Sequence, residues 1–153
     1  MIYIFPKINN TITNIENSNT VTLGKCFKFD FVTGQHIILD GKFVECDFKE
    51  NIKSFIQVVL RTKKDIFKVY TVDEEEYFGL SIYSHIGNKI LHKGYILSET
   101  KREITEQLLN HPFIKEVDNF NFDFEDTILT ITFNCYLQNN EILNIREDLQ
   151  VEF

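Results

Sequence analysis

The last third of the chain keeps a period of two. Phe120, Phe122 and Phe124 fall on every second residue and Glu125-Asp126 interrupts the run. From Ile128 to Leu137 Thr then alternates with Ile, Leu and Phe, and a final segment runs from about Glu141 towards Phe153 after Asn139-Asn140. Successive strand side chains point to opposite faces, so this pattern predicts antiparallel strands joined by tight turns, with one apolar face. Such a face must be covered by another layer.

Two helices are available for that cover. Asp47-Phe48-Lys49-Glu50 has the spacing of a capping box, and Ile52, Phe55, Ile56, Val59 and Leu60 follow at helical intervals, which predicts an amphipathic helix from about Asp47 to Thr62. Ser98 or Thr100 can cap a second helix, Thr100 with Glu103 three residues on. Its buried stripe is Ile104, Leu108 and Leu109, and it ends at Asn110 because Pro112 prevents continuation.

Upstream, Phe27, Phe29 and Phe31 alternate with Lys28 and Asp30 as a half-buried strand that Thr33-Gly34 ends. Ile37 to Leu39, Asp40-Gly41 and Phe43 to Cys46 then read as strand, turn, strand. Ile66, Phe67, Val69 and Tyr70 predict a short strand, and Asp73 to Glu76 a solvated acidic loop. Residues 1–23, rich in Asn and Thr with no helical period, read as an extended arm. The order of elements argues for one α+β domain over residues 1–153, a small mixed or antiparallel sheet with two main helices packed on it.

Composition narrows the function. With 43% hydrophobic and 14% aromatic residues, 15 of them Phe, the chain has ample material for a core. Its formal net charge of -7 opposes nucleic acid and anionic lipid alike. Met1 to Lys7 is too short for a signal peptide and no apolar run reaches membrane length. Cys26, Cys46 and Cys135 are odd in number and widely spaced, as expected of buried thiols in a chain made in a reducing cytoplasm.

Chemistry finds few footholds. His36, His85, His92 and His111 form no zinc spacing, no Gly-rich phosphate loop is present, and no nucleophile elbow marks a Ser or Cys. The sequence therefore predicts no catalytic, cofactor or metal residues. A Phe stripe at period two is mostly core, but the surplus of rings around Phe120 to Phe124, with the apolar termini, points to protein partners. An arm and open strand edges are the arrangement that strand addition between subunits requires.

The stretch Glu103-Ile104-Thr105-Glu106-Gln107-Leu108-Leu109-Asn110-His111-Pro112-Phe113-Ile114-Lys115-Glu116-Val117-Asp118-Asn119-Phe120 resembles the PBSX-type tail protein family, small lysozyme-like baseplate wedge proteins of contractile phage tails and R-type bacteriocins. There a helix ends in Leu-Leu, followed by Asn-Pro, Ile, a Val and Asn-Phe opening the last sheet. Leu129 to Phe133, Phe29-Asp30-Phe31, the helix Ile52 to Leu60 and Tyr77-Phe78-Gly79 extend the likeness over about Lys28 to Phe153. Where relatives carry Glu-Arg after the first helix, this chain has Lys63-Lys64-Asp65.

The resemblance implies a non-enzymatic baseplate wedge subunit that links wedge proteins, and hub or tube proteins, to the first sheath ring. It would be present in several copies in the tail baseplate or bacteriocin particle, assembled in the bacterial cytoplasm, with no nucleic-acid or membrane partner. The partner-facing segments expected are Ile2 to Ile15 and Ile142 to Phe153. The competing expectation is a peptidoglycan-cleaving hydrolase, for which Glu50, Glu74 and Glu76 are the candidate carboxylates.

Overall fold

A computed structural model describes residues 22–64, 78–85 and 92–151. The elements are β1 (Phe29–Asp30), β2 (Gln35–His36), β3 (Ile38–Leu39), β4 (Lys42–Phe43), α1 (Phe48–Arg61), α2 (Ile82–His85), α3 (Lys93–Leu109), β5 (Ile114–Glu125), β6 (Ile128–Leu137) and β7 (Ile142–Gln150). The fold is α+β, as its periodicities predict, and its described sheets are antiparallel. The N-terminal arm through residue 21, the strand predicted at Ile66–Tyr70 and the acidic loop Asp73–Glu76 lie outside the described residues.

The main sheet has the order β5-β6-β7. Leu129, Ile131, Phe133, Cys135 and Leu137 of the central strand are buried on one face, joined by Leu143, Ile145 and Leu149 of β7. Each fully buried Leu or Ile contributes about 2 kcal/mol of transfer free energy. Over this face lie Ile52, Ile56, Val59 and Leu60 of α1 and Ile104 and Leu108 of α3. Leu109, placed in the buried stripe by its sequence position, is exposed, because the chain leaves the helix at Asn110 and only the Ile104 and Leu108 face meets the sheet.

α1 keeps its predicted bounds. The Asp47 side chain accepts from the Glu50 N–H at 2.8 Å and the Glu50 side chain accepts from the Asp47 N–H at 2.9 Å, which satisfies two orphan donors of the first turn. α3 begins earlier than either predicted cap. Ser98 and Thr100 lie inside it, their hydroxyls donating to the Gly94 and Ile96 carbonyls at 2.9 and 2.8 Å, and His92 caps instead, its side chain accepting from the Gly94 N–H.

In β5 the apolar side chains fall at Ile114, Val117, Phe120, Phe122 and Phe124, a spacing no regular strand tolerates. Two register shifts, between Ile114 and Glu116 and between Asp118 and Asn121, put all five on the core side. The three rings are half-buried beneath α3, where Lys93 Nζ sits 4.0 Å from the Phe124 ring centroid and Lys101 Nζ 5.6 Å from that of Phe120. The surplus of rings assigned to partners here is thus largely used within the fold.

Residues 25–46 form a small separate layer against α1. Asp40 and Gly41 both have positive φ, 50° and 74°, as a two-residue hairpin turn of the twist-matched type demands. Asn51 Nδ2 donates to the Gly24 carbonyl at 2.8 Å, and Lys28 pairs with Glu50.

Candidate functional site

The outer edge of β7 is an open edge of the main sheet. Its register with β6 runs unbroken from Ile142↔Tyr136 to Ile128↔Gln150. At the two ends the Leu137 N–H donates to the Glu141 carbonyl and the Val151 N–H to the Thr127 carbonyl. Hydrogen-bonded pairs alternate along an antiparallel ladder, so odd-numbered residues face β6. The N–H and C=O groups of Ile142, Asn144, Arg146, Asp148 and Gln150 point outward. Among the described residues, no main-chain group bonds to them. The opposite edge, on β5, is broken by its two bulges, a feature that blunts pairing.

α1 is fastened along this edge. Lys49 Nζ pairs with Glu141 at 2.8 Å, while Glu147 accepts from Gln57 Nε2 at 2.6 Å and Arg61 Nη2 at 2.9 Å. Arg61 also sits 5.6 Å from the Phe31 ring centroid. Helix, hairpin and edge strand are therefore braced together. The hairpin beyond α1 exposes Ile38, Leu39 and Phe43, Leu39 at 64%, and Phe43 lies against Phe27 and His36.

A polar knot closes the turn after α1. The Leu80 N–H donates to the Thr62 carbonyl at 2.9 Å and the Lys64 N–H to the Leu80 carbonyl at 3.1 Å. Glu103, only 4% exposed, accepts from the Ser81 N–H and hydroxyl, both at 2.9 Å, and from Lys64 Nζ at 3.2 Å. Lys64, one of the residues that departs from the wedge pattern, thus has a structural role. Glu103 serves this knot and not a capping box with Thr100. No local signal announces it, because its partners lie far away in the sequence.

Of the carboxylates named for hydrolysis, Glu50 lies among the described residues. Glu50 is occupied by the α1 cap, and Lys28 beside it, with the Asp47 N–H, holds its carboxyl below the usual range. A general acid needs the opposite shift. Glu74 and Glu76 lie outside the described residues.

The histidines are dispersed: His36 is in the hairpin's aromatic cluster, His85 ends α2, His92 caps α3, and His111 is buried against Phe55 at 4.6 Å. No group of His, Cys, Asp or Glu suited to a metal ion occurs among the described residues. Of the cysteines, Cys135 is buried as expected, while Cys26 and Cys46 are half-buried. A shallow depression on the sheet, lined by Asn119, Thr132, Asn134, Asn144 and Arg146 among others, has no carboxylate, Ser, Cys or His in its lining. No helix among the described residues is long and apolar enough to cross a membrane.

Among known protein families, contractile injection system sheath initiator matches residues 25–141, from the start of the hairpin layer to the residue before β7. A search of curated proteins returns no match. The match covers well over half of the chain, including the hairpin layer, both main helices and the first two strands of the main sheet. The chain belongs to the contractile injection system sheath initiator family, structural parts of contractile tail sheath assembly.

Proposed function

We propose that the chain, as a single domain, is a baseplate wedge subunit of a contractile phage tail or bacteriocin particle. It nucleates the sheath by offering the outer edge of β7 to a strand of the first sheath subunit. The observation that carries this reading is the unbulged edge with outward N–H and C=O groups on five alternate residues, Ile142 to Gln150. An open edge of this length is a template for a further strand, with affinity from main-chain bonds and specificity from the side chains of alternate residues. The apolar hairpin face of Ile38, Leu39 and Phe43 suits neighbouring wedge proteins, which would be met in several copies around the tail axis. No catalytic residue is required.

Proline distinguishes this edge role from a general role in folding. At Asn144 it removes an outward N–H and leaves the β6 ladder intact, so Asn144→Pro folds but gives particles without sheath. At Ile145, whose N–H faces Phe133, proline unfolds the sheet. Electron microscopy of particles from cells lacking the gene, complemented with wild type or Asn144→Pro, provides the measurement. Normal sheaths with Asn144→Pro would overturn the edge reading. Intact sheathed particles from the uncomplemented deletion would overturn the structural role and revive the hydrolase.

A further inference from the structure

Cys26 and Cys46 oppose each other where the chain enters and leaves the hairpin layer. The bridge between Phe27 and Glu45 sets the register. On either side of it the Cys46 N–H donates to the Cys26 carbonyl and the Lys28 N–H to the Val44 carbonyl, both at 2.8 Å. Directly opposed, hydrogen-bonded residues in an antiparallel pair have Cα atoms about 5.5 Å apart and side chains on one face. Disulfides cluster at that same Cα separation. Closure then needs the Cβ atoms to approach by about 1 Å, a small movement for two short strands outside the main sheet. Burial first, and then the neighbouring Cys26, pushes the Cys46 thiol up to about 11.

We infer that Cys26 and Cys46 are a modification site, a dithiol that closes to an intramolecular disulfide by exchange with a small-molecule disulfide once the protein leaves reducing surroundings. The inference is independent of the sheath-strand reading. The Cys26 thiol loses its proton and attacks one sulfur of the disulfide R–S–S–R, giving a mixed disulfide and one R–SH. Cys46 then loses its proton and attacks the Cys26 sulfur, forming the internal bond and releasing the second R–SH. Two protein thiols are oxidised and one small disulfide is reduced. Cys46, held as the thiol by its surroundings, is the slower partner and acts second. The closed bond joins the ends of the exposed hairpin one residue before the Asp47 cap of α1.

The test is incubation of the full chain with oxidised glutathione, followed by tryptic mass spectrometry without reductant. The expected product links peptides 26–28 and 43–49, lighter by two hydrogens than their sum, with buried Cys135 unmodified. The melting temperature rises by about 6 °C, as a staple across this loop predicts. Cys46→Ser stops at a glutathione adduct on Cys26. Wild-type protein that accumulates the same adduct, or that links between chains, would overturn the inference.

Discussion

Gln107 of α3 holds Gly79 by both of its main-chain groups: the Gly79 N–H donates to Oε1 at 2.8 Å, and Nε2 donates to the Gly79 carbonyl at 2.6 Å. Gly79 has φ +98°, and a Cβ there would stand 2.6 Å from the Thr62 carbonyl oxygen. Neither the conformation nor the space admits another residue. Gly79→Ala is expected to cost about 3 kcal/mol, from strain and displacement of the Thr62 backbone. Gln107→Ala strands two main-chain groups and costs about 2 kcal/mol. Urea midpoints at unchanged slope measure both. An alanine at position 79 without loss would mean that the turn readily adopts another path.

Glu103 gives a second measure of the same junction. Its carboxylate takes two bonds from Ser81 and one from Lys64. Glu103→Gln turns one acceptor into a donor that must face either Ser81 or Lys64, and removes the negative charge beside Lys64. The expected loss is about 2 kcal/mol, at the low end for a buried pair because Lys64 keeps some contact with water. Equal stability of wild type and Glu103→Gln by urea unfolding would contradict this.

Acid should weaken the fold through His111. The ring is 7% exposed, packed on Phe55, and its Nδ1 accepts from the Phe113 N–H at 3.3 Å. Burial pushes its pKa from 6.5 down to about 4. The unfolded chain therefore binds the proton more readily than the folded one. Stability from the neutral ring is complete above pH 6.5 and is lost as pH falls from there towards 4. The loss across that window is about 3 kcal/mol. His111→Asn retains an acceptor for Phe113 and should be flat from pH 7 to 5 while the wild type declines. Parallel curves would remove His111 as the cause.

What the sequence discloses depends on how local the cause is. α1 is legible from Asp47 to Thr62 because its cap and its apolar stripe are short-range. The start of α3 is not, since Ser98 and Thr100 suit a cap equally well and only the packed helix turns their hydroxyls onto earlier carbonyls. β7 is visible as a strand, but which edge is smooth depends on bulges that the Phe spacing conceals. The knot at Glu103 is invisible because its partners are 22 and 39 residues away.

Asn119 is where β5 corrects its phase. It has φ +55°, a left-handed conformation that Asn tolerates and β-branched residues resist, and it sits in the shift between Asp118 and Asn121. The bulge absorbs this extra residue and so keeps Phe120 on the core side, its ring centroid 5.0 Å from that of Phe133, with Phe122 and Phe124 following at period two. Asn119→Gly should leave stability within about 0.5 kcal/mol, since Gly adopts this conformation freely. Asn119→Val should cost about 2 kcal/mol. Deleting the residue leaves Val117 and Phe120 two apart, so β5 can pair with β6 without the bulge and the three rings keep the core face. The deletion variant is therefore expected to stay monomeric and, like wild type, to ignore a hydrophobic dye. A deletion variant that aggregates or binds the dye would mean that Asn119 is not the extra residue that the bulge absorbs.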